Sequence, residues 1–75
     1  MSEKLPRLTA DRMIRIATRL GFVLVRQSGS HKIFRNNSGT RLTIPYHKGK
    51  ILHPKLVKAL LRDMNIAEDE LRKLF

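Results

Sequence analysis

An unperturbed imidazole changes charge near neutral pH, so His31, His47 and His53 are the first candidates for proton transfer in this sequence. Other hydrolytic schemes lack parts. Paired-carboxylate hydrolysis needs two acids, and a serine nucleophile needs an acid to orient its histidine base. No Asp or Glu occurs between Arg12 and Arg62. There is no cysteine, and the histidines lack the helical His-Glu-x-x-His spacing of a zinc site, so no metal is expected. No glycine-rich phosphate loop or dinucleotide pattern occurs either, so no cofactor is expected.

RNA cleavage asks less of a protein, because the 2′-hydroxyl of RNA is its own nucleophile. The enzyme removes one proton, supplies another to the leaving oxygen, and stabilises a more negative phosphorane. A well-placed histidine performs one such transfer for a gain of about 10²–10⁴. Lys and Arg nearby stabilise the developing charge.

His31 has the most informative setting. It follows Ser28-Gly29-Ser30, where Gly29 permits a tight turn and the serine hydroxyls can bond a phosphate or orient the imidazole. Lys32 flanks it, with Arg26 and Arg35 on adjacent strand positions. The plainer reading is a surface histidine opening a strand. His47 lies in a loop with Tyr46, Lys48 and Lys50, as a complementary proton donor or simply a basic-loop residue. His53 reads as the flank of a helix that starts at Pro54.

The surrounding charge is one-signed. The 75 residues carry a net charge of +10. A one-signed body usually means a polyanionic partner; the plainer reading is a surface tuned for solubility, which alone does not require the loss of every acid. That partner is a nucleic acid or an acidic protein. Lys48, Lys50, Lys55 and Lys58 would extend a basic track beyond Arg26, Ser28, Gly29 and Arg35.

The elements that must position these residues can be read from the pattern. Residues 9–20 predict a helix, capped by Thr9 and stopped at Gly21, with Met13, Ile16, Ala17 and Leu20 as its buried stripe. Three strands follow, Phe22–Gln27, His31–Asn36 and Thr40–Pro45, joined by Ser28-Gly29-Ser30 and Asn36-Asn37-Ser38-Gly39. In the third, Leu42, Ile44 and Tyr46 share a face; in the second, the apolar positions split between both faces. A helix from Pro54 to about Asp63 and a short one from about Glu68 to Leu74 complete the chain, the last folding Leu71, Leu74 and Phe75 onto the body. This α-β-β-β-α order predicts one α+β domain over residues 1–75. It has a three-stranded antiparallel sheet with helices on one face, the topology of double-stranded-RNA-binding domains. The first six residues carry no apolar run for a signal peptide, and no stretch suits a membrane span, so a cytoplasmic protein is expected.

At Gly29-Ser30-His31 the sequence resembles the HicA family of toxin endoribonucleases, the toxin half of HicAB toxin–antitoxin pairs. The resemblance runs from about Thr9 to Ile66. It includes Arg19-Leu20-Gly21-Phe22, the Val25–Arg35 segment, Thr43-Ile44-Pro45-Tyr46-His47 and the Leu56–Met64 helix. It implies a double-stranded-RNA-binding-like fold, cleavage of mRNA with growth arrest, a functional histidine at His31, and a HicB-type antitoxin partner. Tyr46 before His47 and His53-Pro54 at the second helix depart from the family's usual residues. The expectation is a metal-independent endoribonuclease using His31, with Ser30, Lys32 and His47 in support. The alternative is a non-catalytic RNA-binding module of the same fold; a further rival is a basic surface evolved only for an acidic protein.

Overall fold

The computed structural model describes residues 7–74. Six elements follow one another: α1 (Ala10–Arg19), β1 (Val23–Ser28), β2 (His31–Arg35), β3 (Arg41–Pro45), α2 (Pro54–Met64) and α3 (Glu68–Lys73). The order is the α-β-β-β-α expected, with the short third helix appended. The strands lie in the order β1-β2-β3 and both pairings are antiparallel. The N-terminal residues 1–6 considered for a signal peptide, and Phe75, lie outside the described residues.

Each helix begins and ends where its residues satisfy the free backbone groups. The Thr9 hydroxyl accepts from the Arg12 amide at 3.3 Å, Asp11 sits in the first turn, and Gly21 leaves α1 with φ +93°. In α2, Pro54 occupies the first turn, where its missing N–H costs nothing, and Asn65 ends the helix in the left-handed conformation. Glu70 Oε1 accepts from the Ala67 amide at 3.0 Å at the start of α3.

Strand boundaries move by a residue from those expected, for local reasons. Phe22 precedes β1 as a buried core residue. Asn36 leaves β2 because its Oδ1 accepts from both the Ser38 and Thr40 amides, at 3.0 and 2.8 Å. Such a side chain replaces ladder partners with a turn.

All helices that bury apolar stripes do so against one side of the sheet. Met13, Ile16 and Ala17 of α1, Val57, Leu60 and Leu61 of α2, and Leu71 of α3 form one cluster with Phe34, Leu42 and Ile44. Leu20 and Leu74 pack partly buried against it. Phe34 lies opposite Leu42, and Lys32 opposite Ile44, so the even-numbered side chains of β2 face the helices. His31, Ile33 and Arg35 therefore face the open side.

Candidate functional site

The turn that carries His31 is held from three directions. Ser28 pairs with His31, leaving Gly29 and Ser30 as a two-residue connection. Gly29 adopts φ +58° at the first of these positions, a conformation that L side chains disfavour and hairpin turns of this length require. Gln27 Nε2 donates to the Gly29 carbonyl at 3.1 Å. On the far side His31 lies opposite Pro45, which has no N–H to offer, and the next amide, that of Tyr46, donates to the Ser30 carbonyl at 2.6 Å. The imidazole thus starts from a fixed backbone.

The side chain itself is exposed and makes no hydrogen bond among the described residues. Neither Ser28 nor Ser30 orients it.

The predicted site residues separate into four groups, the last of them the loop after β3. Arg26 pairs with Ile33, and Ser28 with His31, so both share the open face with His31 and Arg35. Directly paired residues of neighbouring strands lie on one face. Lys32 is on the other side of β2, where its Nζ sits 4.0 Å from the centre of the Tyr46 ring. It packs there rather than beside Arg26 and Arg35. Lys55 and Lys58 are exposed on α2, in the helix layer.

Tyr46 links the layers. Asp11, at the start of α1, raises its phenol above the ordinary value of 10.0, first through a hydrogen bond, then with desolvation and the carboxylate's charge. That contact is fully present below pH 10 and weakens as pH rises through the higher folded value. Tyr46 also packs, partly buried, against the core, next to the turn whose Ser30 carbonyl accepts from its amide.

His47, Lys48 and Lys50 follow in the loop expected, closed by a bond from the Lys50 amide to the His47 carbonyl at 3.0 Å with Gly49 at φ +77°. His47 and His53 both line a cavity of about 180 Å³, together with Pro45, Lys50 and Leu56. His53 has a defined task there: its Nδ1 accepts from the Lys55 amide at 3.0 Å and caps α2. Sequence reading took it as a flank. Its place immediately before a first-turn proline was the available signal. Replacing His53 with Ala should destabilise the fold by about 1 kcal/mol, the usual cost of a lost cap, measured as a lower urea midpoint at unchanged slope.

Arg41 falls, by alternation with Leu42 and Ile44, on the outer face of the third strand. In the sheet it lies directly opposite Arg35, on the face of His31. Among the described residues no group of His, Cys, Asp and Glu could hold a metal ion, and no helix is long and apolar enough to cross a membrane.

No curated protein sequence matches the chain. The family described as HicA toxin of bacterial toxin–antitoxin systems matches residues 10–66, from the first residue of α1 through the turn after α2. The match spans the whole of the sheet, the Gly29-Ser30-His31 turn and both larger helices, and the chain belongs to the HicA toxin family.

Proposed function

We propose that this toxin is a metal-independent endoribonuclease that cleaves mRNA and so arrests growth, with His31 as the catalytic residue. The observation that carries the reading is the open sheet face, where an exposed imidazole on a rigid turn stands beside Ser28 and in line with Arg26 and Arg35. His31 transfers a proton as the 2′-oxygen forms a bond to phosphorus and the bond from phosphorus to the 5′-oxygen breaks. One proton leaves the 2′-hydroxyl and one reaches the departing 5′-oxygen. His47, two residues beyond the Pro45 that faces His31, is the candidate for the complementary transfer. Lys48 and Lys50 add positive charge to that loop, and the Ser28 and Ser30 hydroxyls supply donors to the phosphate.

The family membership brings a cognate antitoxin, and the +10 charge suits an acidic protein of the HicB type that covers the same face. The chemistry predicts particular ends. Incubation of purified toxin with RNA should leave 2′,3′-cyclic phosphates and 5′-hydroxyls, read by end-labelling before and after phosphatase treatment. Recovery of 5′-phosphates would rule the mechanism out.

A further inference from the structure

The open sheet face carries three arginines that the fold places together and leaves without counter-charge. Arg35 and Arg41 are directly opposed across β2 and β3, and Arg26 sits two pairs along on β1, opposite Ile33. Like charges directly opposed in a sheet are destabilising. Among the described residues no carboxylate pairs with any of the three, and the strands contain no acid. The helix side of the same strands is apolar apart from Gln27 and Lys32.

Those arginines share their face with His31. Along β2, His31, Ile33 and Arg35 alternate outward, so Arg35 lies roughly 13 Å from His31 at the rise of a strand. Arg26 flanks the midpoint of that line, and Arg41 the far end. Val23, 60% exposed, pairs with Arg35 and adds an aliphatic surface. Among the described residues the one aromatic ring on this face is the His31 imidazole: Phe22 and Phe34 are buried, and Tyr46 is engaged with Lys32 behind the sheet.

We propose that this face, rather than the helix layer, holds the RNA, with Arg26, Arg35 and Arg41 gripping phosphates beyond the bond cleaved at His31. The inference rests on the reading of the chain as a ribonuclease and assigns its substrate track. The occupant is a single strand read through its backbone. Three strands span only about 10 Å at normal sheet spacing. Reading a duplex by shape takes contacts over about 16 base pairs and two successive minor grooves, and no helix or long loop rises from this face to reach them. With no aromatic ring but the His31 imidazole to stack on, bases contribute little along the track, so binding is sequence-tolerant and dominated by phosphate contacts.

The test uses the full chain carrying His31→Ala, which keeps RNA intact. The probe is a fluorescent 20-nucleotide single-stranded RNA, beside the same sequence as a duplex and an acidic peptide of equal length. Affinity is measured from 50 to 200 mM salt. Adding Arg26→Gln, Arg35→Gln and Arg41→Gln together should lower the log–log salt slope by about 2, at about 0.7 per single-strand phosphate contact. That difference amounts to about 20-fold in affinity across the salt range. A charge-matched control on the helices, Arg15→Gln, Arg19→Gln and Arg62→Gln, should leave the slope nearly unchanged. If the triple variant melts below the assay temperature, Arg35→Gln and Arg41→Gln singly carry the same test at about 0.7 each.

Undiminished slope in the sheet variants with RNA still bound overturns the track and leaves the ribonuclease reading standing. Tighter binding of the duplex overturns the single-strand assignment. Failure of the chain to bind RNA at all, with the peptide held through the three arginines, removes both and makes the face a protein interface.

Discussion

Replacing His31 with alanine should abolish RNA cleavage and growth arrest while leaving the fold intact. The imidazole is exposed and hydrogen-bonded to none of the described residues, so its removal breaks no packing and orphans no buried group among them. Loss of a single proton-transfer group lowers a rate by about 10²–10⁴, which takes induced toxin from growth arrest to near-normal growth. His31→Gln, which keeps hydrogen-bonding capacity but carries no titratable proton, should fail equally. The check is transcript integrity after induction of each variant, with circular dichroism to show equal folding. A non-catalytic RNA-binding module predicts the opposite, because its phenotype would follow RNA affinity and survive both substitutions. Retained arrest at equal expression would therefore sink the catalytic role.

The largest effect on stability should come from Phe34, three residues along the same strand. Phe34 is 3% exposed at the centre of the sheet, between Leu24 and Leu42, and faces the helices. Truncation of a buried phenylalanine costs about 3–5 kcal/mol, from lost transfer energy and the cavity left behind. A domain of this length has only about 4–11 kcal/mol in total. Phe34→Ala should therefore populate unfolded chain at 37 °C and abolish arrest for reasons unrelated to chemistry. Ile33→Ala, on the opposite face of the same strand and less buried, should cost well under half as much. Thermal melts of the two variants decide it; equal losses would mean that β2 does not present these faces.

That contrast marks where sequence reading stopped. Element order, the helical stripes and the Ser28–His31 turn were legible because each is written in neighbouring residues: a cap, a spacing of three and four, a glycine between serines. The inward face of β2 was not, since Ile33 and Phe34 are consecutive and either parity includes an apolar residue and a basic one. Only pairing with Leu42 and Ile44 resolves it. For the same reason Lys32 looked like a companion of Arg26 and Arg35, yet its long chain packs over Tyr46 from the other side. Alternation with Leu42 and Ile44 puts Arg41 on the outer face, but its place opposite Arg35, six residues away across a turn, comes only from the pairing. Lys55 and Lys58 showed their charge in the sequence but not their layer. What required three dimensions was which side of the sheet each cation occupies.

The connection between β1 and β2 has a bearing on how this family can change. With only Gly29 and Ser30 between paired residues, the turn has no slack to absorb a gain or loss in length. One added residue that shifted β2 by a position would turn His31 and Arg35 toward the core and bring Phe34 into water, since side chains alternate along a strand. Substitution there is graded in effect; insertion is all-or-none. The Tyr46–Lys50 loop, by contrast, is exposed over most of its length and closes on itself through a backbone bond. Insertions and deletions among related toxins should collect in that loop and spare the Gly29-Ser30 turn, making loop length the variable through which relatives diverge around a hairpin of constant size.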